Sequence, residues 1–207
     1  MGIVDELIDN KILKTLTIIN AFNKIKREDF VLDEFRDESE GNYPLPIGFQ
    51  QTISQPLTVA FMLELLQPKE GHKILDIGTG SGYTTALLSS IVGEKGKVYG
   101  IEYISELKKF GENNIKKYNY IKKGITQMFC GDGTKGLKDK APFDRILVSA
   151  MAGKVPEELK KQLKVKGKLV IPYDEGVSLF IKKPDNTFYV KKYPGFIFVP
   201  LVNSWNL

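Results

Sequence analysis

KILDIGTGSGYTTALLSSIVG, residues 73–93, decides the fold. KILDI is a short apolar run that reads as a buried strand, GTGSG is a glycine-rich turn, and YTTALLSSIV is apolar enough for a buried helix. Strand, glycine loop and helix in that order mark the place where a doubly wound sheet receives a nucleotide. The same alternation continues downstream. KVYGIE (97–102) reads as a second strand, ISELKKFGENNIKKY (104–118) as a helix, and ITQMFCGDG (125–133) as a third strand ending in an acidic turn. FDRILVSA (143–150) reads as a fourth strand, VPEELKKQLK (155–164) as a helix with a proline near its start, and GKLVIPY (167–173) as another strand. The expectation is an α/β fold: a doubly wound, mostly parallel sheet of Rossmann-like type with helices on both faces. From Val177 onward VSLFIKK, TFYVKKY and FIFVPLV lack long helices between them and predict an antiparallel C-terminal edge.

Upstream of the opening stretch, a helix is expected from about Gln55 to Leu66, with Val59, Met62, Leu63 and Leu66 on one face and Pro56 in its first turn. RDESEGNYPLPI (36–47) reads as an extended loop. The first thirty residues read as helical, with Leu16, Ile19, Phe22 and Ile25 as a buried stripe that caps one sheet edge. The chain is read as one domain, 1–207, made of N-terminal helices and a polar loop (1–56), an α/β core (57–176) and C-terminal strands (177–207).

Composition excludes several function classes. Apolar residues make up 42% and charged residues 27%, close to globular averages. One cysteine, Cys130, forbids an internal disulfide, and with a single histidine, His72, no Cys/His zinc site can be assembled. His72 falls in a polar turn, and Cys130 is expected to pack in the sheet. No cationic N-terminus leads into an apolar run and nothing approaches the ~20 apolar residues of a membrane span. A cytoplasmic monomer without membrane contact is expected. The net charge of +5 comes from Lys-Lys pairs spread along the chain, which predicts a solvated surface and no nucleic-acid partner. IKKYNYIKK (115–123) is the counterexample, since tyrosines between lysines could stack on bases, but Ile115, Tyr118 and Ile121 fit one helical face.

The glycine loop alone is weak evidence of a ligand. Glu102, at the end of the next strand, stands where a carboxylate would hold a ribose hydroxyl pair. That leaves a nicotinamide dinucleotide open, yet G-T-G-S-G-Y departs from the regular G-x-G-x-x-G. Asp76, just before the loop, would repel a pyrophosphate and pair with an ammonium, as the amino-acid end of S-adenosylmethionine requires. Asp132, in Cys130-Gly131-Asp132-Gly133, would accept from an adenine amine. Each carboxylate alone has a turn or capping alternative; three at successive strand ends shift the balance.

One further stretch, GFQQTISQP (48–56), carries no charge, histidine or cysteine, so any chemistry it supports needs no general base. Together with KREDF (26–30), PLPIGFQQTISQP (44–56), ILDIGTGSGY (74–83), GDG (131–133), APFDRILVSA (141–150), VPEELKKQL (155–163), GKLVIP (167–172) and FIFVPL (196–201), it resembles the class I S-adenosylmethionine-dependent methyltransferases, and specifically the protein-L-isoaspartate O-methyltransferase family, in that family's own order. PIGFQQTISQP and FVPL are the specific segments; the loop and GDG are shared widely. The resemblance implies S-adenosylmethionine as cofactor, surrounded by Gln51, Ile53, Asp76, Gly78, Thr79, Gly80, Ser81, Glu102, Tyr103, Asp132 and Gly133. It implies Ser54 and Thr52 as catalytic residues and isoaspartyl proteins and peptides as substrates. EGNY before PLPIG and Ser149-Ala150-Met151-Ala152-Gly153 depart from the family pattern. A methyltransferase acting on RNA or a small molecule, and a cofactor-binding module without turnover, remain the alternatives. A helix-capping role for Ser54 is compatible with catalysis.

Overall fold

The structure is a computed structural model that describes residues 2–201. Helices α1 (Ile3–Asp9) and α2 (Leu16–Lys24) and two single 3-10 turns lead to a hairpin, β1 (Leu45–Gly48) and β2 (Gln51–Ile53), and then to α3 (Pro56–Leu66). The main sheet follows as β3 (Lys73–Ile77), α4 (Tyr83–Val92), β4 (Lys97–Glu102), α5 (Ser105–Lys116), β5 (Thr126–Cys130), β6 (Phe143–Val148), α6 (Glu157–Lys161), β7 (Leu163–Pro172), β8 (Gly176–Lys182) and β9 (Phe188–Pro194). Its seven strands run in the order β5-β4-β3-β6-β7-β8-β9. The first five are parallel; β8 and β9 return antiparallel, so the expected mixed sheet with an antiparallel C-terminal edge is present.

The pleat sorts each strand's residues to two cores. Ile74, Val98, Leu147 and Val170 point into one cluster with residues of α1 to α5, whereas their neighbours Leu75, Ile146 and Leu169 point into a second cluster with Leu159 of α6. Helices therefore lie on both faces but unequally, five against one five-residue helix among the described residues. On α3 the expected face is buried: Val59, Met62, Leu63 and Leu66, each worth roughly 1.5–3 kcal/mol of apolar burial. Pro56 occupies the first turn, where its missing N–H costs nothing. Among the described residues no helix is long and apolar enough to cross a membrane.

Several local expectations are corrected. The stripe on α2 is Ile18, Ala21 and Phe22, continued by Ile25 just past the helix; Leu16 is 69% exposed and Ile19 is only half-buried. This helix packs on α3 and α4, not on a sheet edge. The 36–47 loop contains the end of a 3-10 turn, Asp33–Glu38, and the start of β1. Helix α6 stops at Lys161, because Leu163 already pairs with Phe143 in the sheet and an irregularity in register absorbs the residues up to Lys168. FIFVPLV is not a strand of the sheet over residues 196–201; Val202 lies outside the described residues. Instead this segment runs beside Met151, whose N–H donates to Val199 O (2.8 Å) and whose carbonyl accepts from Leu201 N (2.8 Å). Cys130 is exposed, with Sγ donating to Tyr103 O at 3.5 Å. In IKKYNYIKK the helix ends at Lys116, and Tyr118 and Tyr120 stack on one another at 6.1 Å with Tyr118 also against Phe30. Those rings are committed to packing.

Candidate active site

The order of strands reverses between β3 and β6, and the cleft opens beyond their carboxyl ends, as expected for this architecture. Ile77 and Gly78 form one wall and Ser149 and Ala150 the other, tied by Ser149 N donating to Ile77 O at 2.9 Å. Gly78, Gly80 and Gly82 all have positive φ (76°, 49° and 86°), which a side chain would strain. The loop is also pressed against α5. A Cβ on Gly82 would stand 2.9 Å from Gly111 O, and one on Gly111 would stand 2.8 Å from Gly80 O. Asn114 of the same helix donates through Nδ2 to Ser81 O at 3.0 Å, fixing the loop from beneath.

The three carboxylates behind the loop are already engaged. Glu102 is buried; its Oε2 accepts from Gly80 N (2.8 Å) and its Oε1 from Ile104 N (3.0 Å), so the residue shapes the loop while lining the cleft. Asp76 is fully buried, and its Oδ2 accepts from the hydroxyls of Thr85 (2.7 Å) and Thr84 (3.1 Å). Burial pushes its pKa up to about 6, with the nearby Glu102 charge adding to the rise against the two hydroxyl bonds. Its Oδ1 has no protein partner, nor has the buried hydroxyl of Thr79. Asp132 Oδ1 accepts from the backbone N–H (2.9 Å) and the hydroxyl (2.6 Å) of Thr134, capping a short 3-10 turn.

The other side of the cleft comes from the β1–β2 hairpin. Gly48, Phe49 and Gln50 turn the chain through three successive positive φ values (88°, 52° and 57°) and aim β2 at the loop. Thr52 and Ser149 line the inner cleft, a recess beside Gly78–Ser81, and an outer groove of about 640 Å³. Ser54 lines the recess and the outer groove. Among the described residues the hydroxyls of Thr52, Ser54 and Ser149 make no hydrogen bond, while Ile47 and Gln51 close the inner cleft with Val199–Leu201. The N-cap of α3 is Gln55, so Ser54 does not cap it. Three uncommitted hydroxyls thus meet where a buried cleft opens into a wide groove.

The model of a family described as Protein-L-isoaspartate(D-aspartate) O-methyltransferase (PCMT) matches residues 1–206. The chain belongs to that family. Proteins named protein-L-isoaspartate O-methyltransferase are similar to it throughout. The one from Pyrobaculum islandicum is 45% identical over 88% of this chain and 87% of its own length, and the one from Thermococcus onnurineus is 44% identical over 97% and 92%. A crystal structure of a family member from Plasmodium falciparum, in complex with S-adenosyl-L-homocysteine, superposes with a TM-score of 0.85 at 24% identity, covering 98% of this chain and 97% of that one. A second solved protein-L-isoaspartate O-methyltransferase gives a TM-score of 0.86 at 27% identity, covering 96% of this chain and 64% of the other.

Within this methyltransferase family chain, the sequence-derived candidates divide. Gln51, Thr52, Gly78, Gly80, Glu102, Tyr103 and Gly133 line the inner cleft; Ile53, Ser54, Thr79 and Ser81 line the adjoining recess. The side chains of Asp76 and Asp132 do not line either space: the first is buried under the loop and the second is folded back into its turn. Sequence reasoning missed Ser149 as a wall residue, Gly111 as the helix position that lets α5 touch the loop, and Val199–Leu201 as part of the cleft. A glycine in mid-helix, at a cost of about 1 kcal/mol relative to alanine, was the available signal for Gly111. FIFVPL is conspicuous in the sequence, but its apolar pattern reads as a sheet strand.

Proposed function

We propose that the chain transfers a methyl group from S-adenosylmethionine to the free α-carboxylate of L-isoaspartyl residues in proteins and peptides, the first step in returning them to aspartate. The observation that carries the reading, beside family membership, is the set of uncommitted hydroxyls of Thr52, Ser54 and Ser149 between cleft and groove. The residues present fit the cofactor. Gly78 and Gly80 let backbone approach a ligand, Glu102 retains lone pairs for a ribose, and Tyr103, Ile104 and Leu107 offer an apolar wall to a base. Thr79 Oγ1, buried and unpartnered, is a polar atom waiting for a ligand or water beside the loop. Asp76 and Asp132 shape the loop and the GDG turn from behind, and Asp76 Oδ1, buried without a protein partner, keeps an acceptor for a ligand or water.

When bound, the cofactor supplies an electrophilic methyl on a sulfonium. The chain's own task is then orientation. A carboxylate with a pKa near 4 is already ionised at neutral pH, so no residue needs to remove a proton. Ser54 and Thr52 donate to it from fixed backbone, holding it in line without a full charge that would quench it. The hairpin and the Val199–Leu201 segment exclude water from the inner cleft. The outer groove, with Pro44, Leu57, Phe196 and Phe198 among its walls, is open enough for a peptide chain.

The test is a matched pair of peptides differing only in one L-isoaspartyl or L-aspartyl residue, incubated with labelled cofactor. A base-labile methyl ester on the isoaspartyl member alone is expected. Equal labelling of both would reduce the reading to a general carboxyl methyltransferase, and labelling of RNA in place of peptide would overturn it.

A further inference from the structure

We propose that Arg27 is a positioning residue for methyl transfer: its guanidinium staples the base of the β1–β2 hairpin and so sets Thr52 and Ser54 against the cofactor loop. The inference rests on the function proposed above. Arg27 is 3% exposed, and no acidic side chain pairs with it among the described residues. Its two terminal nitrogens donate to backbone carbonyls, Nη1 to Ser39 O (2.9 Å) and Gly41 O (3.2 Å), Nη2 to Tyr43 O (2.9 Å) and Ser54 O (3.3 Å), while the buried Nε has no protein partner. Tyr43 stands two residues before β1 and Ser54 directly follows β2, so one nitrogen bridges the two ends of the hairpin.

Burying a guanidinium among carbonyl dipoles, with the Glu40 charge near but not in contact, is costly, and burial accordingly lowers its pKa. An apolar side chain would fill the space more cheaply if packing were the only requirement. What a fork supplies, and neither an apolar group nor an ammonium can, is a planar, permanently charged set of donors reaching four oxygens at once.

Arg27 is itself anchored to the core. It opens the 3-10 turn Arg27–Phe30, in which Phe30 packs on Tyr83 (5.4 Å) and Tyr118 (5.9 Å), and Asp29 accepts from the Tyr118 hydroxyl at 2.7 Å. Tyr83 is the first residue of α4, directly after the glycine loop, and lines the same recess as Thr52 and Ser54. The turn therefore joins the helices that carry the cofactor loop to the segment that carries the hydroxyls. The carbonyl of Ser54, held by Arg27, fixes the backbone from which its side chain leaves.

The experiment compares the wild-type chain with Arg27→Ala and Arg27→Lys. Kinetics on an isoaspartyl peptide, S-adenosylmethionine affinity by calorimetry and amide hydrogen exchange are measured on the folded fraction. In Arg27→Ala, kcat should fall by about a hundredfold, the scale of a misplacement near 1 Å, while cofactor affinity changes less than about threefold. Millimolar methylguanidinium should restore part of that kcat, and methylammonium should not. Arg27→Lys, the variant more certain to fold, should lose kcat by an intermediate factor and show faster exchange across residues 45–54 with β3 and β4 unchanged. Unchanged hairpin exchange in Arg27→Lys, or activity lost only in proportion to folded protein and deaf to methylguanidinium, would overturn the proposal. Because exchange is read without substrate, a wild-type chain that leaves the isoaspartyl peptide unlabelled would sink the functional reading separately.

Discussion

The two loops that meet at Thr52 are built on opposite terms. Behind the glycine loop each carboxylate is tied to protein through at least one oxygen: Glu102 to Gly80 and Ile104, Asp76 through Oδ2 to Thr84 and Thr85, Asp132 to Thr134. Across the cleft, Thr52 and Ser54 keep their hydroxyls uncommitted among the described residues, and the framework under them is backbone held by one buried arginine. The two loops divide the labour. A binding surface that must have one shape is best secured by its own hydrogen bonds before the ligand arrives, whereas groups that must engage a reacting carboxylate are best left unpaired but immobile. Disturbing the first loop should show in stability and cofactor affinity; disturbing the second should show in rate.

The largest effect is expected where the loop touches α5. Gly82→Ala adds a side chain at φ 86° and places its Cβ 2.9 Å from Gly111 O and 3.0 Å from Ile115 Cδ1. Left-handed strain of about 1–2 kcal/mol and overpacking of about 1–3 kcal/mol act together, so roughly 3 kcal/mol should be lost in denaturant unfolding. A variant as stable as the wild type would mean that the loop is not held as tightly as its contacts imply.

Asp76 tests the same side through pH. Its folded pKa of about 6 lies above the ordinary 3.8, so the folded state holds the proton more firmly than the unfolded chain. The resulting stabilisation is fully present below about pH 4 and is lost as pH rises through about 6, up to roughly 3 kcal/mol at about 1.4 kcal/mol per pKa unit. Asp76→Asn removes this term. Between pH 4 and 7.5 the wild type should lose stability relative to the variant, read as a melting-temperature difference that moves in the variant's favour as pH rises. A constant difference across that range would place the carboxylate in a wetter setting than its burial indicates.

On the other side, Ser54→Ala should lower kcat on an isoaspartyl peptide by about a hundredfold, or about 2.7 kcal/mol in the transition state. Melting temperature and cofactor affinity should stay put, since the hydroxyl bonds nothing in the protein and Gln55, not Ser54, caps α3. A parallel loss of stability would erase the contrast between the loops.

What the sequence made legible follows the same contrast. The alternation of β3, α4, β4, α5 and β5 is written in local periodicity, and the glycine loop in residue types that only a tight turn needs. Misreadings occur where tertiary contacts decide. FIFVPL is apolar because it closes a cleft beside Met151, not because it joins the sheet, and period alone cannot separate those cases. Leu16 looked like part of a stripe, but α2 begins at that residue and turns Ile18, Ala21 and Phe22 inward. The types and places of Asp76 and Asp132 are legible in sequence, but that hydroxyls on α4 and Thr134 bond them is not. Arg27 was visible only as one letter of KREDF, because its four partners lie 12 to 27 residues away.

Glu102 is where the two terms overlap, and it gives the smallest expected effect. Its carboxylate both holds the glycine loop, through Gly80 N at 2.8 Å and Ile104 N at 3.0 Å, and lines the cleft where the cofactor's ribose is proposed to sit. Glu102→Gln keeps size and one acceptor oxygen, but turns the amide's N–H groups toward a backbone N–H that needs an acceptor. One loop bond is lost and one acceptor for a ribose hydroxyl goes with it. Since a hydrogen bond to a charged group is worth about 1.5–3 kcal/mol and relaxation recovers part of it, cofactor affinity should weaken about tenfold, near 1.4 kcal/mol. Calorimetry at neutral pH measures the affinity, and thermal denaturation with and without cofactor measures the loop. If the melting point of the free protein drops while affinity holds, Glu102 serves the loop alone and the ribose is held elsewhere. If affinity drops while the free protein melts as before, the backbone bonds are incidental and the carboxylate belongs with the uncommitted groups across the cleft. Both falling together is what a residue that shapes the loop and also meets the ligand must show.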